Sequence, residues 1–326
     1  MNLKRALIIY NPKSGRFSEK KLSYILNFFK DRHILTDTLN IIENCIEKES
    51  IVNFFDMVLV AGGDGSLNYV INNLVFTDIP IAHLPMGTVN LFALENKTPY
   101  LFRKALNEII YKYKPVKINL GKANEKYFFA MTGIGFDAFI VKNIEEKIKK
   151  NKKRIYNNFI KYISYIFNII KLTKNYKFYD LSLEVIKDGK IYAKHNAKEI
   201  IVSNIRYYGG PFKVFPGNSP LNEKFNIRLV KNAKGRTDVI FSILKSLTFY
   251  KKYSDNPDFY IKADKMIISS SNPSENKYIF YQCDGEFTGT LPVKIEKVKG
   301  AITMLVNPAS FPSFPASFAR INDARW

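Results

Sequence analysis

At 326 residues, 46% hydrophobic and 24% charged, the chain has the make-up of a globular protein of about two domains, which excludes a disordered or fibrous class. Fifty Lys and Arg against twenty-nine Asp and Glu leave a net charge of +21, which implies an anionic neighbour: nucleic acid, a phospholipid surface or a phosphorylated substrate. The two cysteines, Cys45 and Cys283, are too few for a disulfide framework and suit a reducing cytosol.

Residues 6–10 predict a first strand, and their apolar run is too short for a secretion signal before Asn11-Pro12 stops it. A helix follows over 19–30, with Leu22, Ile25, Leu26 and Phe29 at helical spacing. An apolar stretch at 34–42 precedes a helix running through Phe54. The short run Val58-Leu59-Val60 then predicts a buried strand that turns through Gly62-Gly63-Asp64-Gly65-Ser66 into a helix over 67–74. A further strand at 79–84 ends in Pro85-Met86-Gly87-Thr88-Val89-Asn90. Strands alternating with helices predict a doubly wound α/β domain with a parallel sheet, whose ligands sit at the carboxyl ends of the strands.

Three loops fall at those ends: 11–15, 62–66 and 87–90. Gly15, Gly62, Gly63, Gly65 and Gly87 offer bare backbone to phosphate oxygens, and Ser14, Ser66 and Thr88 offer hydroxyls. Asp64 is the only acid in the set and therefore the expected Mg²⁺ partner.

After Pro115 the pattern changes to β-rich segments at 116–121, 127–132, 178–187, 191–202, 225–230, 259–269, 278–283, 293–296 and 302–306. Lys187-Asp188-Gly189-Lys190 is a hairpin signal between two of them. The expectation is a β-sandwich or partly closed barrel, interrupted by one long helix over about 136–173. From Lys142 to Lys177 eleven Lys and Arg face two Glu, a net +9, and adjoin Ile155, Phe159, Ile160, Ile163, Ile166 and Phe167. That pairing fits a basic amphipathic helix docking on an anionic membrane, or a solvated basic loop followed by a core helix; no nucleic-acid module accompanies the charge. No run of about 18 uncharged apolar residues predicts a spanning helix.

Asn11-Pro12-Lys13-Ser14-Gly15, Gly62 to Asn68 and Pro85 to Asn90 together resemble the nucleotide-binding half of the diacylglycerol kinase catalytic domain family, which includes bacterial lipid kinases, sphingosine kinases and ceramide kinases. Gly133-Ile134-Gly135-Phe136-Asp137, Ser203-Asn204 with Tyr208-Gly209-Gly210, and Asp284-Gly285-Glu286 continue the resemblance in order and spacing. It implies ATP and Mg²⁺ as cofactors, with Asn11, Ser14, Gly15, Gly62, Gly63, Asp64, Gly65, Ser66, Gly87, Thr88 and Asn90 at the nucleotide and Asp64 at the metal. It also implies Asp284 as the catalytic base, Glu286 as its support, and a lipid substrate whose hydroxyl receives the γ-phosphate, diacylglycerol before sphingoid or ceramide. The expected domains are 1–117 with a C-terminal return at about 303–326, and 118–302 for the lipid substrate. A cytoplasmic protein, peripheral on the inner face of the membrane, follows; a homodimer is an option in such relatives.

The sequence departs from the family where many members carry acids of a magnesium and water network: Leu91 and Asn119 stand there. Glu223-Lys224 replaces an Asp-Gly pair of a second metal loop in some relatives. Two other readings are a non-catalytic lipid-binding protein of the same fold, and an NAD kinase, whose usual Asn-Glu pair after the glycine turn is not apparent. His83 reads as a satisfied strand residue and Cys283 as core filling. The Phe- and Pro-rich tail from Ala309 cannot continue a sheet.

Overall fold

A computed structural model describes residues 3–150, 176–231 and 260–310. The chain separates into two compact units, Met1–Asn119 with Lys299–Trp326, and Leu120–Val298.

The first unit alternates β1 (Arg5–Tyr10), α1 (Glu19–Lys30), β2 (Leu35–Asn40), α2 (Lys48–Phe54), β3 (Met57–Gly62), α3 (Asp64–Leu74) and β4 (Ile81–Pro85), followed by α4 (Leu91–Glu95) and α5 (Phe102–Lys112). Its strands run parallel in the order β2-β1-β3-β4, with Ile8 opposite Leu59 and Val60 opposite His83. Every residue of β3 and β4 is buried, as expected of a parallel sheet covered on both faces. One face packs Ala6, Ile8, Leu59 and Leu84 against Leu22, Ile25 and Phe29 of α1 and Leu106 and Ile109 of α5. The apolar spacing of α1 thus reads as a core stripe, and Ser18 starts that helix by accepting the Lys21 amide.

Strand β5 (Lys114–Ala123) passes from the first unit to the second, which continues with β6 (Lys126–Phe128), β7 (Met131–Ile134) and α6 (Phe136–Lys150). Then come β8 (Leu181–Lys187), β9 (Lys190–Ala197), β10 (Glu199–Ser203), β11 (Tyr207–Tyr208), β12 (Phe212–Lys213), β13 (Phe225–Val230), β14 (Tyr260–Ala263), β15 (Lys265–Ser270), β16 (Phe280–Cys283) and β17 (Glu286–Thr290). The last strand, β18 (Val293–Val306), pairs antiparallel with β15 at one end and parallel with β4 at Met304 and Ile81 at the other. One six-stranded sheet runs β14-β13-β10-β7-β16-β17. Its apolar face (Ile134, Ile200, Val202, Phe225, Ile227, Tyr281) shares a core with Leu181, Leu183, Met266, Ile268, Val293 and Ile295 from β8, β15 and β18, which makes a sandwich.

Several predicted strands divide. Residues 127–132 form β6 and β7 with a break at Phe129-Ala130, and 191–202 and 259–269 each split into strands of two different sheets, as a sandwich corner requires. The two final segments instead fuse into the single strand β18. The hairpin at 187–190 has Asp188 and Gly189 at positive φ, as a two-residue turn needs. The predicted long helix is observed as α6 through Lys150; its remainder to 173, and the tail beyond Ser310, lie outside the described residues.

Candidate active site

In the first unit the three predicted loops sit at the carboxyl ends of β1, β3 and β4 and are tied to one another. The Asn11 side-chain amide donates to Ser66 Oγ at 3.1 Å, and the Arg16 N–H donates to the Met86 carbonyl at 2.9 Å. The Met86 amide donates to the Gly62 carbonyl at 2.8 Å, which also meets His83 Nε2 at 3.0 Å. A Cβ on Gly87 would stand 2.6 Å from Gly63 Cα, so glycine is required there for two backbones to touch. Asn90 folds its side chain onto Gly87, accepting its N–H at 2.8 Å and donating to its carbonyl at 2.9 Å. Gly62, Gly63, Gly87, Asn11 and Asn90 therefore build the cradle. Gly15, Gly65 and Thr88 are its exposed members, with Ser14 partly exposed and Ser66 buried. The exposed Gly65 in the first turn of the eleven-residue α3, beside hydroxyls, fits the phosphates of a nucleotide.

Burial pushes the Asp64 carboxyl up, opposed by hydrogen bonds from the backbone amides of Leu91, Phe92 and Asn90. The acid therefore clasps the start of α4. Leu91 is buried inside that turn, and Asn119 spends its carbonyl oxygen on the Gly300 amide at 2.9 Å, tying β5 to β18. Among the described residues no three His, Cys, Asp or Glu gather as a metal cluster. The residues present fit a magnesium ion carried by nucleotide phosphates with Asp64 as one carboxylate, and not a cage built by the protein. His83 is held neutral by burial, its imidazole lowered to about 4, and serves as a brace on the glycine turn.

In the second unit Asp284 and Gly285 form the two-residue turn between β16 and β17, with φ of +51° and +83°. An Asp-Gly pair is the usual residue choice for such a hairpin, so the turn explains the glycine without any ligand. It does not explain the carboxylate. Asp284 Oδ2 accepts the Phe129 amide at 2.7 Å, and Oδ1 accepts the amides of Ala130 at 2.8 Å and Met131 at 2.9 Å. Three consecutive amides fix the orientation of the group. At the break between β6 and β7 the Phe129 and Ala130 N–H groups go to the acid.

Asn204 fixes the same break from behind, its Nδ2 donating to the Phe129 carbonyl at 2.8 Å and its N–H to the Ala130 carbonyl at 2.8 Å. Lys297 in turn donates to Asn204 Oδ1 and lies 4.7 Å from the Phe225 ring; burial lowers its ammonium to about 7. Glu286 is 49% exposed and faces Lys126 at 3.9 Å. Partial burial pushes its carboxyl up, with Lys126 opposing and Glu145 adding repulsion. Cys283 is buried, its thiol pushed up to about 12 by burial, as befits core filling. Sequence reasoning missed Lys297 and the 129–131 amides: a lone lysine in a strand carries no pattern, and a backbone role leaves no mark on side-chain identity.

A buried polar cluster lies beside this hairpin. Glu199 is fully buried and its carboxyl is pushed up to about 8, by burial first and by Asp137 second, with Arg228 opposing. A carboxyl raised in the folded state stabilises most below its unfolded value, and that contribution is lost as pH rises toward 8. Thermal melts of Glu199→Gln should therefore match wild type near pH 5 and exceed it by several degrees at pH 8; parallel curves would refute the assignment.

Residues 5–123 match the family described as diacylglycerol kinase catalytic domain, and residues 134–306 match the one described as YegS C-terminal NAD kinase beta sandwich-like domain. A diacylglycerol kinase of Bacillus subtilis is 26% identical over 304 residues, 89% of this chain and 92% of that protein. A diacylglycerol kinase of Staphylococcus carnosus is 36% identical over 141 residues, 40% of this chain and 45% of that protein. The fold is that of a diacylglycerol kinase crystal structure from Bacillus anthracis, with TM-score 0.69 at 22% identity, covering 95% of this chain and 100% of that one. It is shared more distantly by an NAD kinase from Archaeoglobus fulgidus in complex with ATP, with TM-score 0.53 at 16% identity, covering 97% and 98%.

Proposed function

The chain belongs to the bacterial diacylglycerol and lipid kinase family of phosphotransferases, and from that premise we propose that it transfers the γ-phosphate of ATP to the free hydroxyl of diacylglycerol in a membrane. The observation that carries this reading is the Asp284 carboxylate, aimed by three backbone amides from a hairpin turn.

A carboxyl group so held is first of all a positioner of the acceptor hydroxyl. Phosphoryl transfer asks for little more: its loose transition state needs an oriented acceptor oxygen and stabilised charge, not a fully formed alkoxide. Asp284 accepts a hydrogen bond from the lipid hydroxyl, orients its lone pair, and takes the proton as the oxygen bonds to phosphorus and the bond to the departing ADP oxygen breaks. Gly15, Gly65, Ser14, Ser66 and Thr88 provide donors to the phosphates, and Asp64 keeps the second and third loops in register. Asp64 would hold a magnesium ion together with the nucleotide phosphates, and that ion would supply charge neutralisation on them. The net charge of +21 favours an anionic leaflet as the place of work, with the protein peripheral to it. Among the described residues no helix is long and apolar enough to cross a membrane.

Radiolabelled ATP offered with mixed micelles of diacylglycerol, sphingosine or ceramide tests the reading. Label in phosphatidic acid supports it. Label only in a sphingoid or ceramide phosphate changes the substrate. Label in no lipid favours the non-catalytic alternative, and phosphorylation of NAD in a parallel arm would favour the dinucleotide kinase.

A further inference from the structure

Asp137 is among the buried acids that the transfer chemistry above leaves unused. Asp137 stands in the first turn of α6, 7% exposed. Its Oδ1 accepts the Tyr208 hydroxyl at 2.7 Å and its Oδ2 accepts Gln282 Nε2 at 2.8 Å. Gln282, 1% exposed, uses its other end on the turn: Oε1 accepts the Gly285 amide at 2.7 Å. The backbone of Gln282 is fixed as well, its carbonyl accepting the Thr132 hydroxyl at 2.6 Å.

The polarity of this chain is forced. A Gly285 N–H can only donate, so Gln282 must present its oxygen there and its NH₂ to Asp137 Oδ2, which accepts it; burial pushes the Asp137 carboxyl up, opposed by the bonds from Tyr208 and Gln282. Space is reserved for the contact: a Cβ on Gly133 would collide with Asp137 Oδ2 and lie 2.9 Å from Gln282 Nε2. The first glycine of Gly133-Ile134-Gly135-Phe136-Asp137 is therefore explained by the bond between Asp137 and Gln282. The same helix holds the hairpin further along, where Glu145 accepts the Phe287 amide at 2.7 Å and Lys142 lies 3.9 Å over the Phe280 ring.

We propose that Asp137 and Gln282 are positioning residues for phosphoryl transfer, which lock the Asp284-Gly285 turn through the Gly285 amide while the 129–131 amides hold the carboxylate. The proposal rests on Asp284 being the residue that meets the acceptor hydroxyl. The turn is thus gripped on both sides. With one grip released, the acid stays present but loses its aim, so kcat falls while KM for ATP is kept.

A polarity swap tests this. Asp137→Asn alone is expected to be mild, because the amide can keep its oxygen on Gln282 and turn its NH₂ to the Tyr208 hydroxyl, which then accepts; Gln282→Leu removes the acceptor of the Gly285 amide outright. Gln282→Glu alone sets two carboxylates face to face. The double variant, D137N with Q282E, restores every bond with donor and acceptor exchanged: the amide introduced at position 137 donates to the carboxylate introduced at position 282, which still accepts from Gly285. Q282L and Q282E should each lose about 10- to 100-fold in kcat, and the double variant should recover most of what Q282E loses, with KM for ATP steady throughout. Amide hydrogen exchange at Gly285 should quicken in Q282L and Q282E and return in the double variant. Unchanged exchange in Q282L would show that no lock exists, and faster exchange with unchanged kcat would show a lock without catalytic consequence; either overturns the proposal, as does a double variant no better than Q282E. Asp284→Asn assayed alongside separates the two readings, since retained turnover there sinks the role of Asp284 itself, while the Gly285 exchange still reports the lock.

Discussion

Asp284→Asn should lower kcat for transfer to diacylglycerol by about 10²- to 10⁴-fold, the range for removing a positioned acid–base group. The variant keeps the side-chain shape, and its one remaining oxygen can still accept the amides of Ala130 and Met131, as Oδ1 does in the wild type. Its NH₂ then faces the Phe129 N–H, two donors where the carboxylate put Oδ2. That mismatch costs about 1–3 kcal/mol, so the variant should melt somewhat earlier while remaining folded. ATP affinity should stay near that of the wild type, because the nucleotide loops belong to the other unit. Single-turnover assays with nucleotide-binding titrations separate the two effects. Turnover within tenfold of wild type, as an order of magnitude, would remove Asp284 from the reaction.

Asp64→Ala should be nearly as damaging, by a different route. Its carboxylate takes the amides of Leu91, Phe92 and Asn90, so truncation strips the start of α4 of its acceptor. Asn90 also closes the third loop on Gly87, and Gly87 packs on Gly63, so a loosened α4 disturbs all the nucleotide loops at once. Loss of about 10²-fold or more in kcat/KM is expected, together with a lower melting temperature and weaker ATP binding. Asp64→Asn divides the roles. An amide keeps one acceptor for the α4 turn, so stability should partly return; a ligand role for magnesium predicts that transfer does not return with it and that the magnesium requirement rises. If Asp64→Ala keeps ordinary magnesium-dependent transfer, both the brace and the ligand role are wrong.

The first unit was readable in the sequence because its signals are local. Apolar spacing in α1, the short buried runs of β3 and β4, and glycines at the strand ends each follow from a parallel sheet with both faces covered. The glycines themselves had a further meaning that no pattern carries: Gly63 and Gly87 serve contact between loops, 24 residues apart in the chain. In the second unit the strands were found but their joints were not. Residues 127–132 look like one strand because Phe, Ala and Met are apolar throughout, yet the backbone leaves the ladder at Phe129 to hold a carboxylate about 155 residues later. The same holds for 191–202, where one apolar run supplies strands to two sheets. Asn119 and Leu91 were visible as departures from the family pattern, and the structure shows what they do instead: one ties β5 to Gly300 and the other is packed into the α4 turn that Asp64 clasps.

The central claim, that this chain hands phosphate from ATP to a membrane lipid through Asp284, is tested most directly by following radiolabel from the γ-position of ATP into diacylglycerol in mixed micelles, with wild type and Asp284→Asn side by side. The prediction is labelled phosphatidic acid from the wild type, dependent on magnesium, and almost none from the variant. Labelled phosphatidic acid from both proteins at similar rates, or from neither, would contradict it.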